Sequence, residues 1–118
     1  MILDFERLKV TVQLAYRRIG ESAYSLDVVL QVFKYYFDTY EMIFGEAHPA
    51  INIVQTAQII KKMPYLSDDS NIDISPEVYE LMIDQHFATI YNGGNCDYNI
   101  NHFFSGKIRE MRFFEVCY

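Results

Sequence analysis

Phe33-Lys34-Tyr35-Tyr36-Phe37-Asp38-Thr39-Tyr40-Glu41-Met42-Ile43-Phe44 decides the fold, because it puts six aromatic rings into twelve residues. On a helix, Phe33, Phe37, Tyr40 and Phe44 follow the 4, 3, 4 spacing of one buried stripe, with Tyr36 at its border and Tyr35 outside it. Ser25 supplies an N-cap, Asp27 places a carboxylate in the first turn, and Gly45 offers a left-handed stop. The spacing therefore predicts a long helix over about 26–44 with a strongly aromatic face.

Towards the N-terminus, Phe5, Leu8, Val12, Ala15, Tyr16 and Ile19 also fit one helical stripe, whereas Lys9 to Arg17 alternates as a half-exposed strand would. Helix is preferred, because no second strand is evident and a lone strand is unstable; Gly20 then ends it. Towards the C-terminus, His48-Pro49 demands an extended or turn geometry. Ile53, Ala57, Ile60 and Met63 line a short helix that Pro64 cannot continue. After the polar loop Ser67-Asp68-Asp69-Ser70-Asn71, Ser75-Pro76-Glu77-Val78 orders a cap, a first-turn proline and an acid as helix starts prefer. Val78, Leu81, Met82 and Gln85, with His86 and Phe87, carry that helix towards Tyr91, and Asn92-Gly93-Gly94-Asn95 breaks it. Ile100, Phe103 and Phe104, then Ile108, Met111 and Phe114 or Glu115, read as a short helix, a hinge at Ser105-Gly106 and a last helix. The expected fold is all-α: an irregular bundle of about five or six short helices in a single domain over residues 1–118, with the N-terminal segment as the one place a strand also fits.

Composition bounds the function. An apolar content of 51% supports a core without metals or staples, and no apolar run approaches the roughly 18–20 residues that cross a bilayer. Met1 to Glu6 carries acids where a secretory signal is basic, so a cytoplasmic location is expected. Two cysteines, Cys96 and Cys117, are too few for a disulfide framework and read as free thiols. A net charge of −6 and a pI near 4.9 work against phosphate backbones and anionic membranes.

Motifs for chemistry are incomplete. Asp69, Asn71, Asp73, Ser75 and Glu80 mimic the oxygen ligands of a calcium loop, but Ile74 stands where that loop turns on glycine and Pro76 starts the helix too early. Cys96 and His102 lie six apart and no paired metal-ligand spacing occurs, so no metal and no cofactor are expected. Cys96-Asp97 with His102 could form a nucleophile and base, although no fold signature accompanies them. With none of the constellations that mark active sites, the chain is read as non-enzymatic.

Two binding surfaces remain. Lys107, Arg109 and Arg112 sit among Tyr98, Phe103, Phe104, Phe113 and Tyr118, an interleaving of cations and rings that suits single-stranded nucleic acid. Ten Tyr and nine Phe exceed what so small a core easily encloses, which makes Tyr35 and Tyr118 candidates for contact with a protein partner. Tyr35 to Glu41 and Asn101 to Arg109 resemble stretches of short accessory proteins from bacterial phages or mobile elements, without a diagnostic motif. The reading is a small interaction protein that works through an acidic, tyrosine-rich helical surface on a protein partner or a second copy of itself, the alternative being a nucleic-acid-associated factor.

Overall fold

The computed structural model describes residues 5–20, 22–66, 73–94, 96–105 and 107–117. Among these the fold is all-α, with helices α1 (Phe5–Ile19), α2 (Leu26–Phe44), α3 (Ile53–Lys62), α4 (Val78–Ala88), α5 (Ile100–Phe103) and α6 (Ile108–Cys117), and a 3-10 turn at Asn92–Gly94. The only extended pairing among the described residues is an isolated bridge between Tyr65 and Asp73. The ambiguous N-terminal segment is helical, and Leu8, Val12 and Ala15 form its buried face against α3 and α2.

The long aromatic helix forms as its punctuation predicts. Ser25 Oγ accepts from the Val28 N–H at 3.3 Å, and at the far end Gly45, with φ at 71°, donates its N–H to Glu41 at 2.8 Å. Only glycine reaches that left-handed geometry without strain. Phe33, Tyr36, Phe37 and Tyr40 are buried, but Phe44 is largely exposed, because the last turn of α2 runs past the core. In α3, Asn52 caps the first turn by accepting from Gln55 N–H at 2.7 Å, and Met63 is fully buried just before Pro64.

Two helices rotate away from the sequence expectation. The inward face of α4 is Tyr79, Met82, Ile83 and His86, while Leu81 is 55% exposed. Apolar residues surround most of this helix, so periodicity alone does not fix its phase, and packing against both α6 and α2 decides it. Ser75 also departs from the expected N-cap: its hydroxyl bonds the Glu77 carboxylate, and the chain enters α4 through a tight turn in which Tyr79 N–H donates to Pro76 O. That contact holds the Glu77 carboxyl below the usual carboxylate range. In α6 the buried residues are Arg109, Arg112 and Phe113, with Met111 and Phe114 facing outwards.

Four of the ten tyrosines lie inside and account for part of the excess. Tyr24, Tyr36, Tyr40 and Tyr79 are buried, and several hydroxyls donate to backbone carbonyls: Tyr16 to Tyr24 at 2.7 Å, Tyr36 to Tyr98 at 2.6 Å and Tyr79 to Met63 at 2.6 Å. Tyr24 likewise bonds Ile74 O, fixing the residues before α4 to those before α2. Tyr24, Tyr36 and Tyr79 thus satisfy their polar ends while their rings fill the core.

Candidate functional site

The densest polar construction lies where α4 meets the segment leading into α5. His86, fully buried on α4, has Nδ1 2.8 Å from the Tyr91 hydroxyl and Nε2 3.1 Å from the Tyr36 hydroxyl. Proton directions follow from the neighbours. Arg112 Nη1 donates to Tyr91 at 2.7 Å, so Tyr91 passes its own proton to His86 Nδ1. Tyr36 donates to Tyr98 O, so it accepts from His86 Nε2–H. The chain Arg112, Tyr91, His86, Tyr36, Tyr98 is satisfied only with a neutral imidazole. Burial, reinforced by His102 and Arg112, pushes the His86 pKa down to about 3.

Beside this chain, Cys96 and His102 meet. Cys96 Sγ lies 2.9 Å from His102 Nδ1 and accepts the Tyr98 N–H at 3.2 Å. Tyr98 holds φ at 54°, the left-handed region that a bulky side chain seldom adopts. Its hydroxyl donates to Thr89 O and its carbonyl takes the Tyr36 proton, so both ends of the residue are anchored. His102 is set by α5, where Asn99 caps the helix onto Asn101 N–H at 2.9 Å and Ile100 and Phe103 are fully buried. A third ring ties this segment to α2: His48 stacks on Phe37 at 4.3 Å and accepts Ile100 N–H on Nε2 at 2.9 Å. His48 Nδ1 then donates to Pro49 O at 2.7 Å, which closes the turn as its position before proline suggests, and burial lowers its pKa.

The residues singled out by sequence are scattered. Tyr35 is half-buried and donates to Asp84 at 2.6 Å, a bond that with partial burial pushes its pKa up to about 12. Tyr118 lies outside the described residues, as do Asp69 and Asn71 of the calcium-like loop and Gly106 of the expected hinge. Among the described residues no three His, Cys, Asp or Glu side chains gather as a metal site would require. The C-terminal cations require correction as a surface group. Lys107 is exposed, but Arg109 is only 6% exposed and points into the molecule, where Nη1 donates to Lys62 O, Tyr65 O and Tyr79 OH at 2.9, 2.6 and 3.1 Å and Nη2 donates to Leu66 O at 3.0 Å. Arg112 is buried between Tyr91 and the Glu115 carboxylate. Both guanidiniums close carbonyls and phenols inside the bundle, so neither presents its charge to a phosphate.

Sequence reasoning missed the surface that the fold leaves apolar. Met42, Ile43 and Phe44 end α2 in consecutive exposed positions, with Met42 78% exposed, and Ile90 after α4 is exposed to the same degree. They belong to one end of the molecule: Phe44 packs on Phe87 at 6.4 Å and on Tyr98 at 5.7 Å, and Tyr98 bonds Thr89 beside Ile90. Exposed Glu41, Glu46 and Asp97 lie close by in the chain. The signal for this patch was the unbroken Met42-Ile43-Phe44 run next to a glycine stop, which no helical stripe can bury entirely. A groove of about 540 Å³ between α1 and Ala50-Ile51 offers Leu8, Val10 and Ile51 with Glu6 and Arg7, without convergent nucleophiles.

No protein-family model matches the chain, and it has no match among curated proteins or solved structures. Among the described residues, no helix is long and apolar enough to cross a membrane.

Proposed function

We propose that this chain is a small interaction protein that binds a protein partner through the apolar end formed by Met42, Ile43, Phe44 and Ile90, and that it acts by binding and not by catalysis. The carrying observation is that Met42, Ile43 and Phe44 are exposed in three consecutive positions at the end of α2, and that Met42 and Ile90, each 78% exposed, are the most exposed large apolar side chains among the described residues. Contiguous exposed apolar surface with a polar rim is where association gains most from water release. The neighbouring acids Glu41, Glu46 and Asp97, on a chain of net charge −6, suit a partner with an apolar centre and basic surroundings. A cytoplasmic location agrees with this reading.

The test compares the unaltered protein with a Met42→Ser, Phe44→Ser, Ile90→Ser variant as baits in the source cells, with mass spectrometry of what each retains, with and without nuclease. A stoichiometric protein held by the first bait, lost by the second and indifferent to nuclease supports the reading. Sedimentation of both proteins alone identifies the case in which the partner is a second copy. Retention unaffected by the three substitutions, or abolished by nuclease, refutes it.

A further inference from the structure

The pairing of Cys96 with His102 has no counterpart elsewhere in the described residues, and the fold goes to some length to hold it. Sulfur and imidazole come from opposite sides of a tight turn: Cys96 precedes the left-handed Tyr98, and His102 sits on α5. Tyr98 N–H, Tyr98 O and Tyr98 OH are all bonded, so the turn is pinned at each polar atom and the 2.9 Å approach of Sγ to Nδ1 is built in. The His102 ring lies edge-on to Tyr91 at 5.0 Å and to His86 at 5.8 Å, which leaves it little room to swing away. Cys96 is partly open to solvent, whereas Cys117 at the end of α6 is exposed.

We propose that Cys96 is a covalent modification site, a thiol that His102 equips to exchange with low-molecular-weight disulfides. A thiol is a poor nucleophile until its proton leaves, and a base within hydrogen-bond reach supplies the place for that proton. Cys96 sulfur attacks one sulfur of the disulfide while its proton passes to His102 Nδ1. The disulfide S–S bond breaks, a new bond joins Cys96 to one half, and the departing thiolate takes the proton from His102. One protein thiol and one disulfide become one mixed disulfide and one free thiol, with no further oxidant. The Tyr98 N–H on Sγ orients the sulfur before attack, and the half-buried setting admits a small disulfide more readily than another protein's disulfide.

The experiment treats the full-length, reduced protein with oxidised glutathione, quenches with acid at intervals and counts adducts on the two cysteine peptides by mass spectrometry. Cys96 is expected to acquire its adduct at least about tenfold faster than Cys117 despite lower exposure, which is less than the ~10²–10⁴ that a positioned base supplies because exposure favours Cys117. In urea the two rates should converge, since the pairing exists only in the fold. His102→Asn is expected to bring the folded-state ratio close to one. Equal rates in the folded protein, or faster reaction at Cys117, overturn the proposal, and so does a His102→Asn protein that folds and keeps the preference. Should that variant fail to fold, the comparison of folded with urea-treated unaltered protein still decides.

Discussion

Replacing Arg109 with Met removes a guanidinium that four inward hydrogen bonds hold, to Lys62 O, Tyr65 O, Leu66 O and the Tyr79 hydroxyl. Methionine fills the space of the aliphatic stem, so packing changes little and the loss is mostly polar. Nη1 has two N–H groups for three of these acceptors, so they amount to about three full bonds, and at about 0.5–1.5 kcal/mol net per bond they contribute roughly 1.5–4.5 kcal/mol. Two effects favour the lower half of that range. Tyr65 is largely exposed, so water can reach part of the freed backbone, and removing an arginine with no carboxylate beside it among the described residues relieves a desolvation cost. A loss of about 2 kcal/mol is expected, which at a urea m-value of roughly 1–3 kcal/mol per molar moves the unfolding midpoint down by about 0.7–2 M. Urea titration followed by circular dichroism reads it directly, and Arg109→Lys should restore only a part, since one ammonium cannot span three carbonyls and a phenol. A surface cation would behave differently, leaving stability within about 0.5 kcal/mol and lowering the salt slope of oligonucleotide binding by about one. A midpoint shift below ~0.5 M with unchanged slope would refute the inward role of Arg109 and return it to the surface.

Other consequences follow from the same packing. Both His48 and His86 are held neutral in the folded chain, so unfolding lets them bind protons at an ordinary histidine pKa near 6.5. Stability present above about pH 6.5 is therefore lost as pH falls towards the folded values. Between pH 7 and 5.5 about 1–2 kcal/mol should disappear, measured by urea titration at each pH and reduced in His86→Gln; stability that is flat or higher at pH 5.5 would contradict the hydrogen-bond directions assigned here. The rotation of α4 is checked by a pair of substitutions: Met82→Ala, fully buried on the inward face, should cost about 2–5 kcal/mol, and Leu81→Ser on the outward face no more than about 0.5 kcal/mol. Comparable losses from both would place Leu81 back in the core.

Helix positions were readable because local chemistry marks them. Ser25, Asn52 and Gly45 act on groups within four residues of themselves, and no tertiary contact is needed to assign such roles. The facing of α1 and α3 was readable for a related reason, since each has one apolar stripe with polar residues opposite it, although Phe5 at the start of the α1 stripe stays exposed as Phe44 does at the end of α2. The phase of α4 and α6 was not. Apolar residues surround most of α4, and in α6 the buried positions include two arginines, which any periodicity rule places outside. What makes their burial tolerable is non-local: carbonyls at Lys62, Tyr65 and Leu66, left without helical partners where α3 ends at Pro64, and phenols on α4 and just beyond it.

The candidate site obeys the same division. The candidate pairing of Cys96 with His102 was visible as a spacing, but their contact depends on a left-handed tyrosine whose conformation no propensity favours. Tyr98 keeps that geometry because its carbonyl, amide and hydroxyl answer to residues in α2, at the Cys96 turn and after α4. A backbone outlier fixed at three polar atoms must be stabilised by the structure around it. Weakening any one of those contacts should therefore loosen the thiol pair well before it unfolds the bundle, because none of them carries the core packing of Phe33, Tyr36 and Phe103.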